Sequence, residues 1–388
     1  MSGSGAAAAP RRIALISEVM TPPWDEGIRI FGLQLLRHFT AAGARVLPIA
    51  ERAGEADGIA IEGALANRWF VSRKLRTSLR RFAPEVILYV PWTSLTARTL
   101  ARVRVLRRYG RAPVTVLALQ PRPADAIQRI MARFAPPDLV LCCGPGAERQ
   151  ARALGLAAAR VPAGVDLERF RPLPPPLRDR LRERARVTPG DFVVLHVGHL
   201  KVSRNVDALA AVAAVPGVRA MLVASTSTPA EQEAAARLRD AGVTVMTHHQ
   251  DRIEVVYQIA DAYLFPVTSA LDAIEVPLSV LEAAACDLPI VTTRYGALPE
   301  ILSGSEHAGV LWAETPSDAA ECVRGLLARR TPGATQPLAI GARQPPATGA
   351  MQPLATGARR ALVAGFGWDR AAARVLDALD RLASRSGG

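Results

Sequence analysis

Lysine is almost missing from this sequence: of 48 basic residues only Lys74 and Lys201 are lysine, and the rest are arginine. That scarcity nearly closes off chemistry built on a pyridoxal Schiff base, glycan phosphorolysis included. Aromatic residues make up only 5% of the chain, too few to give the arginines the stacking platforms of a nucleic-acid surface. The four cysteines, Cys142, Cys143, Cys286 and Cys322, lie in apolar stretches without C-x-x-C spacing and read as reduced core residues. Among the six histidines there is no H-E-x-x-H pair, so neither a dedicated metal site nor a cofactor is expected. No apolar run reaches the roughly 20 residues of a membrane-spanning helix. The opening MSGSGAAAAPRR places its arginines after the alanines, the reverse of a secretory leader. A cytoplasmic protein is expected.

What is present is a chain of 388 residues, 49% apolar and 21% charged, too long for one core and suited to two α/β domains. Short apolar runs at Ile13 to Ser17, Arg45 to Ala50, Val86 to Pro91, Val114 to Gln120 and Leu139 to Cys143 alternate with stretches of helical length. Such alternation predicts a parallel sheet covered by helices on both faces. The proline-rich Arg171 to Leu177 interrupts it, because proline removes backbone donors and favours extended chain. The alternation restarts at Phe192 to Val197, Ala220 to Ala224, Val243 to His248, Ala262 to Val267 and Pro289 to Thr293, which predicts a second doubly wound sheet. The expected domains are residues 1–172 and 173–368. Two such domains facing each other make a cleft where donor and acceptor meet. Within the second, an octad recurs three times from Gln336 to Arg359. Its prolines, glycines and small side chains mark residues 332–360 as a surface insertion without chemistry of its own.

The net charge of +13 is unevenly spread. Arg68, Arg73, Lys74, Arg76, Arg80 and Arg81 form one run without an acid, and Arg98, Arg102, Arg104, Arg107, Arg108 and Arg111 form another. Such helices suit peripheral contact with an anionic membrane or an anionic acceptor. A plain solvated surface is the reading such charge runs favour.

Three segments carry the chemistry. In Pro277-Leu278-Ser279-Val280-Leu281-Glu282 a proline opens a helix whose free N–H groups, at Leu278 and Ser279, form an anion site. Glu282, one turn on, can accept from ribose hydroxyls. On periodicity alone an ordinary amphipathic helix fits as well. The block His196-Val-Gly198-His199-Leu-Lys201-Val-Ser-Arg204 joins a glycine that lets backbone approach phosphate to cations that hold it. In the first half, Pro22 to Ile28 places Gly27 between strand and helix, for close backbone approach or for steric reasons alone. Gln120 ends a strand, either as a polar terminus or as a hydrogen-bonding group toward a sugar.

Taken together these segments resemble glycosyltransferase family 4, the retaining GT-B enzymes. That family has two glutamates separated by seven residues, then E-A-x-A-x-G-x-P-V and a later G-x-x-E. Glu282 matches the second glutamate. The first falls at Ile274, with Glu275 one residue late, and Asp287 stands where the family has glycine. His199 and Arg204 take the two basic positions that grip the donor diphosphate, and Gln120 replaces a histidine that contacts the transferring sugar. Pro162 to Phe170 and Phe366 to Trp368 resemble its interdomain and C-terminal segments. The resemblance implies two Rossmann-like domains, with a terminal helix of residues 369–388 crossing back to the first. It implies transfer of a sugar from a nucleoside diphosphate to a small-molecule, lipid-linked or glycan hydroxyl with retained configuration and without metal. Gln120, His199 and Arg204 would be catalytic, and Gly27, Gly198, Lys201, Glu275, Leu278, Ser279 and Glu282 would bind the donor. A nucleotide-sugar epimerase on the same fold, or a non-catalytic sugar-nucleotide-binding protein, are the alternatives.

Overall fold

The structure is a computed structural model that describes residues 11–227, 230–305, 308–330 and 357–386. It forms two compact units, Met1–Pro162 with Trp368–Gly388, and Ala163–Gly367. The first is built on β1 (Arg12–Ile16), β2 (Arg45–Ala50), β3 (Gly54–Ala56), β4 (Ile59–Gly63), β5 (Val86–Tyr89), β6 (Val114–Ala118), β7 (Leu139–Cys142) and β8 (Ala158–Arg160). Their order across the sheet is β3-β4-β2-β1-β5-β6-β7-β8. Every neighbouring pair is parallel except β3 with β4. The central strands have no polar face, because helices cover both sides: Ile13, Ala14, Leu15 and Ile16 are fully buried, as are Val86 to Tyr89.

The second unit is wound on β9 (Phe192–Gly198), β10 (Val218–Ala224), β11 (Thr244–Met246), β12 (Ala262–Phe265), β13 (Ile290–Thr292) and β14 (Val310–Trp312). All its pairs are parallel, in the order β11-β10-β9-β12-β13-β14. In both sheets the winding reverses beside the first strand, between β1 and β5 and between β9 and β12. Loops leaving adjacent strands toward opposite sides open a crevice at such a point, beyond the carboxyl ends of the strands.

The units meet in sequence between Pro162 and Ala163, ahead of the proline run. The reason lies in residues 165–171. Val165 bridges to Gly367, the Phe170 ring packs edge-on to Tyr257 at 5.5 Å, and Arg360 donates to the carbonyls of Leu167 and Phe170. At the other end of the chain, helix Trp368–Ser386 packs in the first unit, where Trp368 meets Phe31 edge-to-face at 5.0 Å.

Two sequence readings need correction. Arg102 does not belong to a basic surface: it is buried, pairs with the buried Glu18, accepts no solvent-facing role, and its guanidinium lies 4.2 Å over the Phe70 ring. A cation desolvated this deeply is stable only beside a carboxylate, and that carboxylate is 84 residues away in sequence. The octad region mostly lies outside the described residues, but its last three, Gly357 to Arg359, are packed. Arg359 is buried, donates to the carbonyls of Asp287 and Ala308 at 2.7 Å each, and pairs with the Asp287 carboxylate. Asp287 itself is left-handed, with φ of 62°, which explains why glycine is at home there and how aspartate can replace it.

Candidate functional site

The crevice between β9 and β12 collects most of the predicted residues. Beyond β9 the chain turns through a short helix, Val202–Arg204, capped by Asn205 in the left-handed region. That turn brings Arg204 back over Gly198. Arg204 is 7% exposed, and it donates through Nε at 2.7 Å, and through Nη2, to the Asp272 carbonyl beyond β12. Ser203 adds a bond to the Asp272 carboxylate at 2.9 Å, and Asn205 reaches the Pro266 carbonyl. The two switch-point loops are thus laced together. A Cβ on Gly198 would stand 2.6 Å from Arg204 Nη1 and 3.2 Å from His196 Nε2, so glycine is required for the arginine to occupy its place. His199 and Lys201 precede Arg204 in the same connection and are partly exposed.

Helix Leu278–Ala285 begins at Pro277 with no side-chain cap. Leu278 is buried, which leaves only its backbone N–H to face a ligand; Ser279 is half-buried and bonds to Tyr263. Glu282 accepts the Tyr257 hydroxyl at 2.7 Å. Burial raises its pKa to about 7, against the lowering effects of the Tyr257 bond and of Arg169. The carboxyl therefore changes charge near neutrality.

Glu275 is 2% exposed and acts through its backbone as well: its carbonyl accepts Ala297 N–H at 3.0 Å. Gly296, four residues ahead of Glu300, has φ of 54°, and a Cβ there would fall 2.3 Å from the Glu275 carbonyl. That close approach accounts for the glycine without any ligand.

Sequence reading missed the side chains between these segments. Tyr263 donates to the Val197 carbonyl at 3.3 Å, and Tyr257 stacks on it at 5.7 Å. Tyr295 donates to the Ala273 carbonyl at 2.5 Å. His196 is completely buried, and its Nδ1 lies 2.9 Å from the Leu264 carbonyl. Nδ1 is thus the protonated nitrogen, and Nε2 is an acceptor that has no hydrogen-bond partner among the described residues. Desolvation lowers the His196 pKa to about 4, helped by the Arg204 charge and opposed by the Leu264 bond, so the ring is neutral at physiological pH. Nothing in the spacing of these residues signals a site; β9–β12 register, which pairs Leu195 with Tyr263, assembles them.

Gly27 and Gln120 belong to the first unit. Gly27 starts helix Gly27–Ala41 in the connection that follows β1, where Arg29 ties back to the Thr21 carbonyl at 2.6 Å and to Glu26. Gln120 follows β6 and is 8% exposed. Both stand beyond carboxyl ends of strands, the edge of a parallel sheet where ligands bind. Among the described residues no three His, Cys, Asp or Glu side chains are grouped to hold a metal ion, and no helix is long and apolar enough to cross a membrane.

Comparison with known proteins gives this geometry a setting. Residues 191–329 match the family described as Glycosyl transferases group 1. The chain is 24% identical to sulfoquinovosyl transferase SQD2 of Arabidopsis thaliana over 82% of its length and 66% of that protein. It is 29% identical to the GDP-mannose-dependent alpha-(1-6)-phosphatidylinositol dimannoside mannosyltransferase of Mycobacterium tuberculosis, over half of each chain. The alignments therefore span two-thirds or less of these relatives. Among solved structures, Anabaena Alr3699/HepE in complex with UDP superposes with a TM-score of 0.71 at 15% identity, covering 95% of this chain and 100% of the other.

Proposed function

We propose that this chain, a GT-B protein whose residues 191–329 carry the group 1 glycosyl transferase match, transfers a sugar from a nucleoside diphosphate to an acceptor hydroxyl with retained configuration. The observation that carries the reading is the Gly198–Arg204 turn, laced to the Asp272 carbonyl beside the uncapped start of helix Leu278–Ala285. Guanidinium, glycine backbone and helix N–H groups together fit a diphosphate.

Arg204, His199 and Lys201 meet the diphosphate charge with the amides of Leu278 and Ser279, so no divalent ion is required. Glu282 takes the ribose hydroxyls, and Tyr257 fixes its carboxyl orientation. As the sugar C1–O bond to the diphosphate breaks, the same cations stabilise the leaving oxygen, which is where charge develops. The acceptor oxygen bonds to C1 from the same face, and its proton passes to the departing phosphate. Gln120 is the first unit's group for the transferring sugar, a neutral hydrogen-bonding partner that moves no proton.

A lipid-linked acceptor at an anionic membrane suits the first unit best. Helix Ala126–Phe134 turns Ile127, Ile130 and Phe134 outward, 64%, 51% and 67% exposed, with Arg129 and Arg133 also exposed beside them. An apolar stripe bordered by arginine is the composition of an interfacial helix. The phosphatidylinositol in the name of the mycobacterial relative is consistent with this.

A thermal-shift screen of UDP- and GDP-sugars tests the reading, because a ligand that binds only the folded state raises the melting temperature. The stabilising donor should then release nucleoside diphosphate in an acceptor-dependent reaction, unaffected by chelator, and proton NMR of the product should show the donor's anomeric configuration. Conversion of the donor into another sugar nucleotide would replace the transferase by an epimerase, and no stabilising donor at all would remove the reading.

A further inference from the structure

A second cationic site lies at the other edge of the first sheet. Helices Arg73–Phe82 and Ala97–Gly110 end shortly before β5 and β6 begin, so their last turns stand at the amino ends of those strands. Gln120 and Gly27 stand at the carboxyl ends. Between the two helix ends is a pocket of about 300 Å³ lined by Arg76, Arg80, Arg108, Tyr109 and Arg111, at the small end of the roughly 300–1,000 Å³ usual for ligand pockets.

Helix ends attract cations, and part of the cluster is explained by that. Arg80 donates through Nε to the Tyr109 carbonyl at 2.8 Å and through Nη2 to that of Arg108 at 3.5 Å. Yet each helix C-terminus supplies only about half a negative charge, roughly one in all, against four guanidiniums. The carboxylates on the surrounding elements are engaged elsewhere: Glu62 with Arg81, Asp138 with Arg107, and Glu85 with Arg11 and Arg12. Arg76, Arg108 and Arg111 have no acidic partner among the described residues. The strain of this arrangement registers at Arg80, whose pKa is lowered by desolvation and then by the charges of Arg111, Arg76 and Arg108. Helix-capping alone calls for one arginine here; four around a concavity leave a surplus that an anion would neutralise.

We propose that this pocket binds a phosphate-bearing anion, carried either by a soluble diphosphate or by a lipid headgroup. Its charge surplus and size suit a diphosphate or a phosphomonoester with further acidic groups, and guanidinium geometry favours paired bonds to phosphate oxygens. The site is separate from the donor crevice and does not depend on the transferase reading.

The test uses the full chain carrying Arg204→Ala, which removes the other phosphate-binding arginine. Inorganic diphosphate is titrated calorimetrically into this protein and into versions that add R108E with R111E, R76Q with R111Q, or R180E with R184E. The last pair is exposed on helix Pro175–Arg184 of the second unit and matches the change in net charge. Melting curves confirm that each variant is folded. Diphosphate affinity should survive Arg204→Ala, fall at least tenfold with R108E/R111E, fall less with R76Q/R111Q, and be retained with R180E/R184E. The same proteins are sedimented with phosphatidylcholine vesicles with and without phosphatidylglycerol. A loss confined to the diphosphate arm assigns a soluble ligand, and one confined to the phosphatidylglycerol arm assigns a headgroup. Binding of neither probe, or equal loss in the R180E/R184E control, would overturn the proposal.

Discussion

The crevices beyond β1 and β9 are built to one plan with opposite charge. In the first unit the loop after β1 is tied across the switch point by Glu18, whose carboxylate takes the Tyr89 hydroxyl at 3.2 Å, the Trp92 N–H at 3.3 Å and the Arg102 guanidinium. In the second unit the tie is Arg204, held by the Asp272 carbonyl with Nη1 beside Gly198. An anion approaching the first meets a carboxylate already engaged from behind. Approaching the second, it meets glycine, helix amides and a cation. Topology provides both crevices, and the side chains that tie them, Glu18 and Arg204, are of opposite sign.

The comparison breaks most severely at Glu18. Glu18→Ala leaves Arg102 buried without its carboxylate and should lower stability by about 3–5 kcal/mol, read as the denaturant midpoint at unchanged slope. A loss below about 1 kcal/mol would mean that water reaches the guanidinium. Next comes Arg204→Ala, which should weaken nucleotide binding by about 1.5–3 kcal/mol, or roughly ten- to a hundredfold. Gly198→Ala should act in the same direction by displacing the arginine, and unchanged affinity in calorimetry for both would take the turn out of the site.

Gln120→Ala sharpens the contrast from the first unit. A neutral group facing the sugar should affect turnover, lowering kcat about ten- to a hundredfold, while nucleotide affinity moves little. Wild-type single-turnover rates would leave Gln120 as a strand terminus.

Smaller still is a pH effect within the second crevice. The Glu282 pKa is raised from 4.5 to about 7 and that of His196 is lowered from 6.5 to about 4. Between these values the folded state holds an extra proton at Glu282, which makes stability fall as pH rises, and one fewer at His196, which makes it rise. The two slopes oppose each other from about pH 4.5 to 6.5. Glu282→Gln should expose the His196 slope, with stability of the unliganded protein rising by on the order of 1 kcal/mol per pH unit over that window. A flat profile in the variant would show that His196 is hydrated. Last, deleting Gln336 to Met351 should change stability by less than about 1 kcal/mol, since loop closure varies slowly with length; a large fall in melting temperature would count against it.

Much of this was legible in the sequence, and the exceptions share a cause. Ten strands announce themselves as apolar runs, whereas β3, β4, β8 and β14 do not; of these β3, β8 and β14 are three residues long and stand at sheet edges. Gly198, Arg204, Ser279 and Glu282 sit in contiguous motifs and could be read locally. Tyr257, Tyr263, Tyr295 and His196 could not, because only strand register and loop packing bring them to the same place. The same holds for Arg102, indistinguishable in sequence from Arg98 or Arg108 until Glu18 arrives from the loop after β1.

Asp287 has a consequence for heredity. Its carboxylate grips Gly357 N–H at 2.6 Å and Arg359 N–H at 3.2 Å, so what it holds is the tripeptide Gly-Ala-Arg that ends the third octad. Tandem repeats gain and lose copies when DNA replication slips. Loss of Gln344 to Arg359 would join Arg343 to Arg360 and deliver Gly341-Ala342-Arg343, the same tripeptide, to the same carboxylate. Loss of the third octad alone would deliver Gly349-Ala350-Met351 and leave a buried aspartate without its guanidinium. Changes in copy number that return an arginine to Asp287 should therefore cost less stability than those that do not.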